Sequence, residues 1–233
     1  MTDRIAVVTG GTQGIGHATA LALSAAGCHV GVLARTEADV QAVCREIEAR
    51  GGAALPLIAD VRQRSQVESA LSQVVAQWGR LDVLVNNAGG GSRFRFVDSF
   101  STEWDRLIDL NFKGVLHCTS AALPHMLRQG DGCIVQIASR AGRMPEGELS
   151  VYSAVKAAVL GFSRALAEEL RGSGVRVVAI SPGPVNTEQL RRQPPRPDRA
   201  YWLEPEDVAN AVVFLSSPQN VRYNGAFLDL YSA

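Results

Sequence analysis

Tyr152 and Lys156 stand four residues apart in the run Tyr152-Ser153-Ala154-Val155-Lys156. In a helix of about 3.6 residues per turn that spacing puts both side chains on one face. The surrounding stretch, Val151 to Leu170, is rich in Ala, Leu and Glu and reads as such a helix. A phenol, with a reference pKa of about 10, is a poor acid near neutrality. An ammonium held beside it favours the phenolate, so the pair predicts a tyrosine of lowered pKa. It would hand a proton to a carbonyl oxygen or take one from an alcohol. The spacing alone is weak, because a Tyr and a Lys also share a helix face by chance.

A second constellation lies near the N-terminus. Thr9-Gly10-Gly11-Thr12-Gln13-Gly14-Ile15-Gly16 follows the β-branched run Ile5 to Thr9 and opens a helix from Gly16 to Ala26. Gly10 and Gly14 permit backbone angles and close approach denied to larger residues, and Gly16 permits the helix to pack on the sheet. The first amides of that helix then face an anion. A tight turn that binds nothing is the plainer alternative, but the position between a first strand and a first helix favours a dinucleotide. The spacing is G-x-x-x-G-x-G and not G-x-G-x-x-G.

The elements that would position these residues alternate along the chain. Strands are expected at Ile5–Thr9, His29–Ala34, Ala54–Ala59, Leu81–Val85, Cys133–Ile137, Val175–Ile180 and Ala226–Leu230. Helices are expected at Gly16–Ala26, Glu37–Arg50, Ser65–Trp78, Val151–Leu170 and Pro205–Leu215. A longer one, Thr102 to Arg128, is expected to bend near Asn111 and Pro124. Strands apolar on both faces that alternate with helices predict an α/β fold: a doubly wound parallel sheet of about seven strands with helices on both faces. Ligands bind such sheets at the carboxyl ends of the strands. The 233 residues suit a single domain. Its one composition shift, the Pro- and Arg-rich stretch 191–199, reads as a loop within a short substrate lid at 184–204.

Composition excludes several classes of function. Lys plus Arg and Asp plus Glu are both 23, so charge gives no reason to expect nucleic acid or an anionic membrane as partner. No apolar run approaches the roughly 18 residues that span a bilayer. Met1-Thr2-Asp3-Arg4 runs straight into a strand without a signal-peptide pattern. Cys28, Cys44, Cys118 and Cys133 are widely spaced, and the four histidines are scattered, so no metal is expected. Buried, reduced thiols point to a cytoplasmic protein.

With Asn86-Asn87-Ala88-Gly89 at a strand end, Ser139, and Tyr152-x-x-x-Lys156, the chain resembles the short-chain dehydrogenase/reductase family over nearly its whole length. The resemblance implies hydride transfer between NAD(P) and a carbonyl or alcohol carbon. It implies that Gly10, Thr12, Gln13, Gly14, Ile15 and Gly16 form the cofactor turn, and that Asp60-Val61 meets the adenine. Asn87, Ala88 and Gly89 would lie on the ribose side. Asn111, Ser139, Tyr152 and Lys156 would be the catalytic tetrad, with Asn111 kinking its helix and holding a water beside the lysine. Pro182, Gly183, Val185 and Thr187 would hold the nicotinamide carboxamide, and Tyr152 and Lys156 would also touch the cofactor. Taken singly, Ser139 reads as a turn serine, Asn111 as a solvent-facing residue and Asp60 as a strand-end turn residue.

The second strand ends Leu33-Ala34-Arg35-Thr36, without the acid that usually receives the ribose hydroxyls of NAD. Arg35 suits a 2′-phosphate, which favours NADP, with NAD possible. Gln13 adds no basic contact, and little is expected of His17. Gly90–Phe96 and Arg140–Leu149 are expected to wall the substrate, with Arg93, Arg95, Arg140 and Arg143 free to attract an anion or simply to solubilise the loops. The resemblance extends to 3-oxoacyl carrier-protein reductases and related alcohol dehydrogenases, so the substrate would be a small-molecule or acyl-carrier-linked carbonyl or alcohol. The chain ends without the family's usual Val-Asp-Gly-Gly. The alternative is an NADP-binding regulatory protein without turnover, whose usual sign would be a lost Tyr or Lys. A homotetramer or homodimer is expected, because Trp104, Ile108, Val115, Val159, Phe162 and Leu166 make more than one apolar stripe.

Overall fold

The computed structural model describes residues 1, 3–192 and 201–231. The lid stretch 193–200 lies outside the described residues. Seven strands form one sheet: β1 (Ile5–Thr9), β2 (His29–Ala34), β3 (Ala54–Ile58), β4 (Val83–Asn86), β5 (Gly132–Ile137), β6 (Val175–Pro182) and β7 (Phe227–Leu230). All pair in parallel, in the order β3-β2-β1-β4-β5-β6-β7. The order reverses beside β1, which pairs with β2 on one side and β4 on the other. At that reversal the loops leaving β1 and β4 diverge and open a crevice at the carboxyl ends of the strands.

Side chains alternate across each strand, so apolar runs feed two cores. Ala6, Val8, Val30 and Val85 face one layer, made by α1 (Gly14–Ala25), α2 (Glu37–Ala49) and α8 (Pro205–Ser216). Val7, Leu33, Leu84 and Ile134 face the other, made by α3 (Arg64–Trp78), α5 (Gly114–Gln129) and α6 (Ser150–Glu169). The α8 layer is tied to the sheet by a buried cation: Arg176 of β6 donates to the carbonyls of Leu215 (2.7 Å), Ser217 (3.0 Å) and Asn220 (3.2 Å). A guanidinium at a helix C-terminus meets both the open carbonyls and the negative end of the dipole.

The long helix expected around Asn111 is three pieces. After α4 (Ser101–Ile108) comes a π-helical turn, Asp109–Lys113, and then α5, which runs through Pro124. The short α7 (Glu188–Arg191) follows Thr187, inside the segment expected as lid. The six apolar residues expected to face a partner divide here. Val115, Val159 and Leu166 are buried within the chain and offer nothing to a partner, while Trp104, Ile108 and Phe162 stay partly exposed. A helical stripe reveals that a residue is covered, but not whether its own sheet or a second chain covers it.

Candidate active site

The crevice at the strand reversal is a cleft of about 840 Å3, within the usual range for small-molecule sites. Of the catalytic and cofactor residues singled out in the sequence, all line it except Gly16, Arg35, Asp60, Val61 and Asn111; of the four wall arginines, Arg93 and Arg140 line it and Arg95 and Arg143 do not.

The glycine turn joins β1 to α1. Gly10 (φ +62°) and Gly14 (φ +50°) occupy the left-handed region, where a side chain would be strained. Gly16 is required by closeness instead: a Cβ there would fall 2.1 Å from the Gly10 carbonyl oxygen. Gln13 precedes α1 without a side-chain cap, so the first amides of the helix remain for an anion. His17 is engaged elsewhere, 2.8 Å from Glu46.

Thr9 ties this turn to the far side of the crevice. Its hydroxyl donates to the Val85 carbonyl (3.2 Å) and accepts from the amides of Asn87 and Ala88 (both 3.0 Å). Asn87 returns the tie by donating to the carbonyls of Thr9 (2.9 Å) and Gly10 (3.2 Å). In the sequence Thr9 is both the end of a strand and the first residue of the glycine turn. Its place opposite the Asn-Asn segment was visible only once β1 and β4 were known to be neighbours.

Ser139 leaves β5 and starts the tight turn Arg140–Gly142, where its hydroxyl accepts from the Ala141 amide at 3.1 Å. It is thus a turn serine, and its hydroxyl also approaches Tyr152, whose pKa it draws down. Gly142 makes that meeting possible, since a Cβ on it would lie 2.8 Å from the Lys156 carbonyl carbon. Only a glycine brings the turn so close to the α6 backbone, and nothing in the local sequence marks Gly142 for that contact. Gly91 lies against the other side of the phenol; a Cβ there would sit 3.5 Å from the Tyr152 ring.

Lys156 is 4% exposed. Its Nζ donates to the Ile137 carbonyl at 3.0 Å and lies 5.8 Å from the Tyr152 ring centroid. Burial pushes its pKa down to about 8. Burial also raises the pKa of Tyr152, and the Ser139 hydrogen bond only opposes that rise. The expected lowering of the phenol by its lysine is therefore corrected for the protein's own groups. Desolvation disfavours the phenolate and the ammonium alike, and the amine is turned to a carbonyl.

Asn111 is fully buried, not solvent-facing. Within the π turn its amide donates to the carbonyls of Leu107 and Gly90 and accepts from the Gly90 amide, each at 3.0 Å. It thereby fixes the loop that carries Gly91 to the phenol. Beyond β6, Thr187 caps α7 by accepting from the Leu190 amide at 3.3 Å. Its methyl would sit 2.8 Å from a Cβ on Gly14, so the segment after β6 closes against the glycine turn. Val185 pairs with Leu203 in a short parallel bridge near the two ends of the segment expected as lid.

Arg35 and Asp60 end neighbouring strands, outside the cleft proper. Asp60 is held by Arg62 through contacts of 2.5–3.0 Å, and its carboxyl is lowered by that fork first and by Arg35 last. Arg35 is exposed and forms no salt bridge among the described residues.

A half-buried phenol and serine and a buried lysine, in one cleft with a glycine turn, describe an oxidoreductase site of the nicotinamide-dependent class. The chain belongs to the short-chain dehydrogenase family, whose profile matches residues 4–197. It is 38% identical to the 3-oxoacyl-[acyl-carrier-protein] reductase of Synechocystis sp., across 96% of this chain and 93% of the relative. An uncharacterized oxidoreductase of Staphylococcus aureus is 37% identical, across 96% of each chain. Among solved structures, the 3-ketoacyl-(acyl-carrier-protein) reductase of Brucella melitensis complexed with NADH superposes with a TM-score of 0.92 at 32% identity. That match covers 98% of this chain and 96% of the other. A dehydrogenase/reductase of Sinorhizobium meliloti gives 0.91 at 33%, covering 99% and 94%. The protein is an NAD(P)-dependent oxidoreductase that acts between CH–OH and C=O groups.

The buried lysine makes stability depend on pH. Free lysine binds its proton up to about 10.4, and Lys156 in the fold only to about 8. Between those values the unfolded chain binds more protons, so this contribution raises stability as pH rises; the penalty is complete below pH 8. The four buried thiols, raised by burial to about 11 or 12, act oppositely above pH 9. A difference measurement isolates the lysine. Lys156→Met is expected to gain most over the wild type below pH 8, by about 3 kcal/mol more than at pH 10.5. Urea denaturation of both proteins at several pH values checks it, and a pH-independent difference contradicts it.

Proposed function

We propose that this protein reduces the carbonyl of a small-molecule or acyl-carrier-linked substrate to an alcohol with NADPH, Tyr152 being the proton donor. The observation that carries the reading is the convergence of Ser139 and Lys156 about the Tyr152 phenol, in one cleft with the glycine turn. The residues present fit a dinucleotide: the uncapped α1 amides and the close-packed Gly14 and Gly16 suit a pyrophosphate, and the Lys156 amine suits a ribose. A bound nicotinamide supplies the hydride. Gly10, Thr12, Gln13, Gly14, Ile15 and Gly16 would hold the phosphates, and Asp60 and Val61 the adenine. Asn87, Ala88 and Gly89 would meet the ribose side, and Pro182, Gly183, Val185 and Thr187 the nicotinamide amide.

Negative charge develops on the carbonyl oxygen during reduction and must be neutralised as it forms. Ser139 orients that oxygen by a hydrogen bond, and Tyr152 gives it a proton. Lys156 sits behind the phenol and, with its pKa near 8, exchanges protons readily at working pH. Asn111 fixes Gly90 and would support a water that refills this relay.

Arg35 carries the preference for NADPH. Asp60 is taken up by Arg62, which also feels Asp109, while Arg35 forms no salt bridge among the described residues and is left for a phosphate. The Brucella neighbour was solved with NADH, so the extra phosphate, and not the nicotinamide, is what Arg35 would select.

We further infer a cytoplasmic homo-oligomer, supported by four buried free cysteines and by an apolar groove of about 460 Å3 between Trp104, Ile108, Phe112 and α6.

Three outcomes are expected. Tyr152→Phe keeps the ring and removes the proton, so kcat should fall roughly 10²–10⁴-fold with little change in cofactor affinity; Lys156→Ala should damage both. Full activity in Tyr152→Phe would refute the mechanism. Arg35→Ala should weaken NADPH by about ten- to a hundredfold and leave NADH nearly unaffected; equal losses in paired titrations would remove Arg35 from cofactor choice. Sedimentation at micromolar concentration should show a dimer or tetramer, and a species of 24.9 kDa alone would dismiss the oligomer.

A further inference from the structure

The four wall arginines part company in the fold. Arg95 lies 3.6 Å from Asp98, and both are largely exposed. Arg143 pairs with Asp229 of β7 at 2.5 Å. Arg93 and Arg140 come from the two different loops that wall the cleft, and they converge on a single carboxylate. Each donates through Nη2 at 2.6 Å, Arg93 to one oxygen of Glu146 and Arg140 to the other. All three residues line the same cleft as Tyr152 and Ser139. A guanidinium carries five N–H donors in a flat fork. Among the described residues, Glu146 is the acceptor for Arg140, and Glu146 with the Gly147 carbonyl (3.4 Å) serves Arg93. Both arginine side chains remain 30% exposed. Two cations are thus held side by side by one anion, with donors to spare.

Their position relative to the chemistry is fixed by the chain. Arg140 directly follows Ser139, one step of about 3.8 Å between Cα atoms. Arg93 comes two residues after Gly91, which lies against the Tyr152 ring. The amide bond from Phe94 to the Glu148 carbonyl (2.9 Å) holds the two loops together beside the pair. An anion bound here shares one cleft with the reacting carbon, which suits a short substrate that carries its charge near that carbon.

We propose that Arg93 and Arg140, set side by side by Glu146, form an oxyanion-binding subsite of the substrate cleft. The substrate is then a short ketone or secondary alcohol with a carboxylate or phosphate close to the reacting carbon. This rests on the carbonyl-reducing reading above and narrows its substrate class. Planar guanidiniums suit either anion, and Glu146 keeps two like charges adjacent that would otherwise repel.

The test compares matched pairs with NADPH: acetoacetate against acetoacetamide for a carboxylate, and dihydroxyacetone phosphate against dihydroxyacetone for a phosphate. The readout is the ratio of kcat/KM for the anionic member to that for the neutral one. The wild type should favour the anion by about tenfold or more in at least one pair, and the pair that does so identifies the anion. Arg93→Gln and Arg140→Gln should each lower that ratio by about ten- to a hundredfold. Glu146→Gln leaves the site one unit more positive and should raise it. A clasp with a purely structural role would instead depress both members of each pair together in all three variants, and that result overturns the proposal, as does a wild-type ratio near one. If no ketone of either kind is reduced, the reductase reading fails, and binding still decides the subsite. Saturation-transfer NMR with malonate and malonamide on the NADPH-loaded protein should then show malonate bound by the wild type and lost in the double variant R93Q/R140Q. Malonate that does not bind, or binds both proteins alike, rejects it.

Discussion

A primary amine 4% exposed, with a backbone carbonyl for its hydrogen bond, is a costly thing to fold, and the cleft is arranged around it. Desolvating an ammonium disfavours its charge, and Lys156 answers with a pKa near 8 instead of with a carboxylate partner. The neighbours are shaped to let it in. Gly89 carries no side chain where a Cβ would lie 3.4 Å from Nζ, and Gly142 allows the Ser139 turn to rest on the α6 backbone at Lys156. The π turn buries Asn111 so that its amide, and not a bulkier group, closes the space behind Gly89 and Gly90. Each accommodation also places something: the turn places Ser139, and the π turn places the loop that lies against Tyr152.

The two ends of the cleft are coupled through few bonds. Thr9 spans the strand reversal, and Asn87 spans it back. On the opposite wall Thr187 closes on Gly14 while capping α7. The glycine turn is therefore held between the segments that follow β4 and β6, both of which line the cleft with the phenol. A disturbance at the glycine turn has a short path to the phenol, a coupling that would serve the preorganisation that positioning chemistry requires.

Much of this was legible in residue types. Periodicity gave seven strands and their partners in the layers, because each strand is apolar on both faces. The four-residue spacing of Tyr152 and Lys156 and the glycine turn located the cleft. What was hidden depends on contacts between distant segments. A π turn has no sequence period of its own, so Asn111 read as a kink or a solvent-facing residue, not as a buried clamp on Gly90. Gly142 and Thr9 look ordinary until α6 and β4 are packed against them. The apolar count on α5 and α6 could not separate Val115, Val159 and Leu166, which their own fold buries, from Trp104 and Ile108, which it does not. The direction of the tyrosine's pKa was missed for a related reason. Spacing supplies the neighbouring charge but not the desolvation of both partners.

That miss bears on the direction of the chemistry. A phenol raised above its ordinary value is fully protonated at neutral pH, as an acid must be before it can act. The oxygen it serves in reduction becomes an alkoxide, far more basic than any phenolate, so proton transfer is downhill even from a raised tyrosine. In oxidation the same group must first lose its proton, and the protein's own groups work against that: burial disfavours the phenolate, and the lysine behind it is half neutral near pH 8. The positive charge of an oxidised nicotinamide is the contribution that would tip the phenol toward ionisation. On the proposed mechanism the unaided site favours reduction near neutrality, and the reverse reaction is expected to gain as pH rises.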